Sequence, residues 1–391
     1  MDEPATSSPA TSLRLPTGIA VSEDDPLLIS RSYPEAPHPY RTPFARDCGR
    51  ILHAKAFRRL AGKTQVFTRS GAESDHSRSR LTHTLEVAQV ARTTAAALGL
   101  NAALAETLAL VHDIGHPPFG HAGEQALDAA LRHHGLGFDH NLHALRIVTT
   151  FEERYAAFRG LNLTLAVREG IIKHSRDYSP AAHPELSEYF LDKRPTLEAQ
   201  LIDLADEIAY LTADIEDGLA AGVLDLNLVL DEVPFFAGFY AEARREFPAA
   251  NPQLLSNEAL KQILNTLATD LMTETARQVS TLGATTLSEL RANQGRVARF
   301  SEPIEAERKK TKAFLYANLY QSPALEAEHA HAEQVVQTLF AEWVNDPGLM
   351  PADHAARAHA EGAPRAVADY IAGMTDSYIQ QAWEARAAAS D

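Results

Sequence analysis

Cysteine occurs once in the 391 residues, at Cys48, so no intramolecular disulfide can staple the chain. Its order has to come from a buried core, as suits a reducing cytoplasm. Long apolar runs are missing as well. No stretch approaches the roughly 18 apolar residues of a membrane span, and residues 1–12 hold no basic segment followed by an apolar one. The expectation is a cytoplasmic protein with no membrane partner. Strand-like alternation of useful length and internal repetition with a period of roughly 20 to 50 residues are both absent. Helical periods remain, and they recur along most of the chain, so the expected class is mainly α. Positive charge is in short supply: 36 Lys and Arg face 52 Asp and Glu, for a net charge of −16. For the molecule as a whole this argues against polyanionic partners.

The charge is unevenly spread. Between Arg46 and Arg80 stand nine basic residues, Arg46, Arg50, Lys55, Arg58, Arg59, Lys63, Arg69, Arg78 and Arg80, against three acids, Asp47, Glu73 and Asp75. Such focusing suits phosphates; a solvated basic face that pairs with acids elsewhere is the plainer alternative. A second basic group, Arg296, Arg299, Lys309, Lys310 and Lys312, offers further phosphate or base contacts.

Residues 1–43 hold eight of the 21 prolines and read as a mobile or extended arm. An amphipathic helix is predicted over 44–60. Another is predicted over 81–98, with Leu81, Leu85, Ala88, Ala91, Ala95 and Leu98 inward and Gly99 as its stop. His83 begins a second face of that helix, where a histidine is by default a partly buried structural residue. Further helices are predicted over 142–151, 163–174 and 367–383. Thr196 can cap one that runs to about Leu219. On its polar side Asp203, Asp206, Tyr210, Asp214 and Asp217 fall within about 80° of arc. A solvated acidic face is the commoner cause of such a stripe, and the lining of a cation and a ligand is the other.

The densest chemistry lies between Val111 and Glu124, where His112, His116 and His121 stand among Asp113, Glu124 and the glycines 115, 120 and 123. Asn101 can cap a helix through Leu104, Leu108 and Val111, and Gly115 with Pro117 and Pro118 must end it. His112 and Asp113 are adjacent, about 100° apart on a helix. They can serve one ion only if it lies off the helix end, in the open position a catalytic metal needs. A capped surface helix with incidental histidines would be the bland reading of an isolated His-Asp pair.

The pair is not isolated. The succession Arg80-Leu81-Thr82-His83-Thr84-Leu85-Glu86-Val87, then His112 to Glu124, then Asp206-Glu207-Ile208-Ala209-Tyr210, resembles the HD-domain deoxynucleoside triphosphate triphosphohydrolases, the dGTPase family. Ala56 to Phe67, Phe138 to Ile147 and Lys312 to Tyr316 are similar to the same family, so the resemblance runs from about Arg41 to Tyr320. It implies an HD-domain helical phosphohydrolase architecture with additional C-terminal helices. The core would span 44–225, and a helical region over 226–391 would complete the nucleotide pocket. It also links residues that spacing alone would not: His83, His112, Asp113 and Asp206 become a metal site of two imidazoles and two carboxylates on three helices. Mn²⁺ or Mg²⁺ is the expected ion, with Fe²⁺, Co²⁺ and Zn²⁺ as alternatives, because donor type does not choose among them.

The activity implied is hydrolysis of a dNTP at the α-phosphorus, with dGTP the expected substrate and triphosphate the product. Arg80, and either Lys63 or Lys173, would balance phosphate charge. His121 with Glu124 one turn on would serve as acid, base or in-line nucleophile, three roles that stay open here, and His116 and His140 would assist at the phosphates. Gln65, Tyr210 and Asp214 would surround the sugar. Arg296 or Arg299 would reach the base. Family likeness further implies a homo-oligomer, with single-stranded DNA or an allosteric nucleotide as a regulatory partner. Two other readings stay open: an HD phosphohydrolase for another nucleotide phosphoester, and a nucleotide- or DNA-binding regulator whose site has become a ligand pocket.

Overall fold

The structure, a computed structural model, describes residues 13–67 and 78–390, the side chains of 387–390 excepted. The start of the expected arm and, in the basic stretch, Arg69, Glu73 and Asp75 lie outside the described residues. Among the described residues there is no strand, only two isolated bridges, Thr64 with Ser79 and Tyr155 with Phe158.

Local chemistry sets most helix ends. Helix α1 (Pro43–Leu52) begins on proline with Thr42 as its cap. The predicted helix over 44–60 then breaks at Ala54, which is extended, before α2 (Lys55–Arg59). The reason is a cap from far along the chain: Glu152 accepts from the backbone N–H groups of Lys55 and Ala56 at 3.1 and 2.7 Å. Helix α3 (Arg80–Leu98) starts in a capping box between Ser79 and Thr82 and stops at Gly99, whose φ is +78°. Asn101 caps α4 (Ala102–Val111). Helix α5 (Gly120–Arg132) has no side-chain cap of its own. Asp139 caps α6 (His140–Arg146), which passes into a π turn at 147–151 instead of continuing as an α-helix. After α7 (Leu165–Ile172), Thr196 caps α8 (Leu197–Ala220) as its sequence requires.

The second half adds α9 (Leu226–Glu232), α10 (Pro234–Glu246), α11 (Pro252–Leu282), α12 (Leu287–Arg291) and α13 (Glu302–Leu315). It closes with α14 (Pro323–Asn345), α15 (Ala352–Glu361), α16 (Ala363–Ala372) and α17 (Asp376–Ser390). The last two replace the single helix predicted over 367–383, because the chain leaves helical geometry between Gly373 and Thr375.

Packing divides these helices into two main apolar cores, and the division does not follow the expected break at residue 225. The larger core joins α1, α3, α4 and α8 to α9–α11 and α13 through residues such as Phe44, Leu98, Leu104, Ile208, Phe236, Leu271 and Phe314. The smaller one joins α5, through Ala126, Leu127 and Leu131, to Val335, Leu339 and Phe340 of α14 and Val367 and Ile371 of α16. Helix α5, early in sequence, is therefore part of the C-terminal layer. Within α3 the buried face runs through His83, Val87, Val90, Ala91, Thr94 and Leu98, while Leu85, expected inward, is 49% exposed. The face turns because α3 is packed on α4 along one side and α8 along the other.

From Leu13 onward the proline-rich segment, with a 3-10 turn at Thr17–Ile19, is fastened to the body. Ile19, Val21 and Leu28 are buried in the larger core, and Leu15 N–H donates to the carbonyl of Leu98. Glu198, fully buried at the start of α8, accepts from the N–H groups of Val21 and Asn101 at 2.9 and 3.1 Å. It thereby ties the segment to α4 and α8. Burial raises its pKa, so the folded state binds the proton more tightly than the unfolded one. The stability this gives is present at low pH and is lost as the pH rises through the raised value. Glu198→Ala leaves two N–H groups unpaired at about 1–3 kcal/mol each and should expose residues 13–30 to limited proteolysis. Glu198→Gln keeps an acceptor and should flatten the pH dependence of the urea midpoint; equal midpoints for all three proteins would show that the clamp does not hold the segment.

Candidate metal centre and histidine row

Three helices bring their ends or middles to one point. The capping box holds the first turn of α3, so Arg80 and His83 are presented from a fixed helix start. His112 closes α4 and donates through Nδ1 to the carbonyl of Ala109 at 2.6 Å, which assigns the tautomer and leaves Nε2 with a free lone pair. That Nε2 is buried and has no hydrogen-bond partner. It lies 3.4 Å from Asp113 Oδ1 and 3.9 Å from Asp206 Oδ1, and Asp206 Oδ1 is 2.8 Å from His83 Nε2. Two imidazoles and two carboxylates thus surround an unpaired buried nitrogen. His83, His112 and Asp113 are grouped closely enough to hold a metal ion, as are His112, His174 and Asp206. The donors fit a divalent metal, since a buried nitrogen without a partner is costly unless a cation satisfies it.

Electrostatics keep the carboxylates ionised. Burial would raise Asp113, but His112, Arg80 and His116 hold it well below the usual carboxylate range. Arg80 is itself buried and donates to Asp113 Oδ2 at 2.8 Å. Asp206 is likewise lowered against its burial, chiefly by His83.

A row of histidines leads away from this cluster. His116 Nδ1 is 3.1 Å from Asp113 Oδ1, and its ring stacks on His140 at 4.0 Å between centroids, with His121 at 5.5 Å. Burial, together with Arg80 and His140, keeps His116 neutral. The stack depends on Gly115, where a Cβ would meet the carbonyl oxygen of His140 at 2.0 Å and Ala144 N at 2.6 Å. Only a glycine lets α6 approach the turn that closely. Glu124 sits between the two outer imidazoles. It accepts from His140 through both N–H and Nδ1, at 3.1 and 2.8 Å, and lies 3.5 Å from His121 Nδ1. Burial pushes its carboxyl up, but hydrogen bonds from His121 and His140 bring it far below the ordinary range. His121 is exposed, so the row runs from a buried cluster to a solvent-facing imidazole.

The stripe on α8 is no solvated face. Asp203 pairs with His174 at 2.6 Å, Asp206 with His83, Asp214 with the hydroxyl of Tyr320 and Asp217 with Arg78. Tyr210 donates to Glu207 at 2.7 Å with Lys312 over its ring. Burial, only partly offset by the Tyr320 hydrogen bond, raises Asp214 to about 7, and its Oδ1 has no partner. The buried Oε1 of Gln65 has none either.

Several expectations are corrected by placement. Lys173 does not face this cluster: its ammonium is consumed by Glu169 at 2.6 Å and the carbonyls of Phe190 and Lys193. The neighbouring His174 turns inward instead, 5.2 Å from the His112 ring. Only its spacing to the stripe residue Asp203 across two helices marks it, and that requires the fold. The basic stretch mostly serves the interior, because buried cations need partners: Arg46 and Arg50 bind Glu35, and Arg78 binds Glu86, Glu216 and Asp217. Lys63 donates to the carbonyls of His116 and Ala372. Arg296 pairs with Asp203 and Arg299 with Gln278, so both are engaged within the protein. Tyr320, which meets Asp214, lies just outside the Lys312 to Tyr316 motif, and no spacing in the sequence marks it.

Comparison with known proteins agrees with this geometry in extent and kind. The HD domain model matches residues 80–211, and the model of a phosphohydrolase-associated domain matches 298–385. A deoxyguanosinetriphosphate triphosphohydrolase-like protein of Thiobacillus denitrificans is 46% identical over 90% of this chain and 92% of its own length. One from Ralstonia pickettii is 44% identical over 89% of each chain, and one from Brucella suis 43% over 89% of this chain and 90% of its own. No helix among the described residues is long and apolar enough to cross a membrane.

Calorimetric titration with Mn²⁺ tests the cluster directly. One tight site is expected, abolished in His112→Ala and in Asp206→Ala with the helical content intact. Undiminished binding in His112→Ala would place the metal elsewhere.

Proposed function

The chain belongs to the HD-domain deoxyguanosinetriphosphate triphosphohydrolase-like family, and from that premise we propose that it hydrolyses deoxynucleoside triphosphates, dGTP foremost, to deoxynucleoside and triphosphate. The observation that carries the reading is the adjacency of a four-donor cluster, His83, His112, Asp113 and Asp206, to the His116, His140, Glu124 and His121 row. Mn²⁺ or Mg²⁺ is the ion proposed; when bound, it would polarise the α-phosphate and make a water more acidic.

The protein's own groups then have separable tasks. Arg80, fixed by Asp113 and with a buried Nε that lacks a partner, stabilises negative charge on the phosphate oxygens. Neutral His116, with Nδ1 3.1 Å from Asp113 Oδ1 and its ring stacked on His140, lines the phosphate site. In the chemical step a water oxygen bonds to the α-phosphorus and gives up a proton to solvent, the bond from phosphorus to O5′ breaks, and O5′ takes a proton. His121 supplies that proton, with the ionised Glu124 beside it to orient the ring. The exposure of His121 suits a leaving group that departs toward solvent.

Sugar selection falls to Tyr210 and Asp214. The unpaired Asp214 Oδ1 accepts the 3′-hydroxyl, and Tyr210, braced by Glu207, occupies the space beside C2′, with Gln65 opposite. A ribose hydroxyl buried there without a partner costs about 1–3 kcal/mol, which is roughly a ten- to hundredfold preference for deoxy substrates before any steric overlap.

Three measurements test this. Incubation with each dNTP and NTP plus Mn²⁺ should release intact triphosphate from dGTP and little from GTP. Orthophosphate or pyrophosphate as the product would replace this reading with a general phosphohydrolase. Tyr210→Ala should narrow the dGTP to GTP ratio of kcat/KM, whereas Asp214→Asn should weaken both. His121→Ala should lower kcat by about 10² or more with metal retained, and an unchanged kcat would remove it from the mechanism.

A further inference from the structure

The turn that carries His121 is not anchored by the helices that carry the metal donors. Phe119 and Gly120 both adopt left-handed backbone, with φ of +62° and +56°, and no side chain caps the helix they open. A left-handed phenylalanine persists only where its surroundings hold it. Here the holding group comes from the far end of the chain. Asp376, the first residue of α17, accepts the Phe119 N–H on Oδ1 at 2.9 Å. Its Oδ2 accepts the Thr64 N–H at 2.7 Å and the Thr64 hydroxyl as well. Both oxygens are therefore used, on two segments that meet nowhere near each other in sequence. Four residues earlier the carbonyl of Ala372 accepts from Lys63, whose ammonium also donates to the carbonyl of His116. The Phe119 ring and the inner face of α5 rest on the C-terminal core. His121 itself, exposed, with Glu124 beside it at 3.5 Å and the His116 ring 5.5 Å away, stands where this backbone puts it.

We propose that Asp376 is a positioning residue: its carboxylate sets the place of His121 relative to the metal donors and so makes turnover depend on the seating of the C-terminal helices. The proposal rests on the reading of His121 as the proton-transfer group. A carboxylate suits the task because all three incoming groups are donors. Asparagine would meet one segment with its oxygen and oppose the other with its NH₂.

The test is a double-mutant cycle in the full-length, Mn²⁺-loaded protein with dGTP, following kcat, KM, metal per chain and the melting temperature. Asp376→Ala and Asp376→Asn should each lower kcat at least tenfold, since a misplacement of about 1 Å costs on the order of 10² in rate. KM should stay within about twofold and metal content should be unchanged. In the His121→Ala background the second substitution should add less than about twofold, because the group it positions is already gone. A general structural role would instead multiply in full on both backgrounds, or would lose metal, and either result overturns the proposal. Slow His121→Ala with full-speed Asp376→Ala overturns the clamp alone. Full-speed His121→Ala overturns the reading of His121, and the clamp with it. If Asp376→Ala melts below the assay temperature, Asp376→Asn, which keeps one of the two attachments, carries the same comparison.

Discussion

A buried carboxylate must be paired, and Asp113 is where that constraint shapes this protein. It is almost inaccessible, so its charge would be prohibitive in an apolar surround. It is met by Arg80 from α3 and by His116 from the turn after α4. Those two partners tie the start of α3 to the end of α4. The same carboxylate gives the cluster its negative charge and holds Arg80 in place, so structural and chemical roles share one group.

The remaining geometry follows from two cores with different memberships. The donors sit on α3, α4 and α8, which share the larger core. The acid/base pair rides on α5, which is buried against α14 and α16. The site is therefore assembled across a seam. Close backbone approach at Gly115 and the carbonyl contacts of Lys63 hold the two sides in register. Such seams are where small displacements change rate more than stability.

Charge shows the same economy. The basic stretch before residue 80 reads as a phosphate surface in sequence, but Arg46, Arg50 and Arg78 are neutralised by carboxylates of the protein and Lys63 is held by two carbonyls, since an unpaired buried cation would be expensive. Arg80 is the member of that stretch bonded into the cluster. The acidic stripe on α8 undergoes the opposite change: instead of facing water, its carboxylates Asp203, Asp206, Asp214 and Asp217 each find a histidine, tyrosine or arginine from another part of the chain.

By itself the sequence determined the helical class, the capped starts at Asn101 and Thr196, the stop at Gly99 and the chemistry at His112 and Asp113. All of these are local: caps and periods act within one turn, and a Gly-Pro-Pro run ends a helix in any surroundings. Likeness to a family joined His83 and Asp206 to the pair, which no spacing rule could do for residues on separate helices. Tertiary structure alone decided that Glu152 breaks the predicted helix over 44–60, that Lys173 turns away while His174 turns in, that Tyr320 meets Asp214, and that α5 belongs with the C-terminal layer. Each of these rests on a partner distant in sequence, and a hydrogen bond or an apolar contact of that kind exists only once the chain has folded.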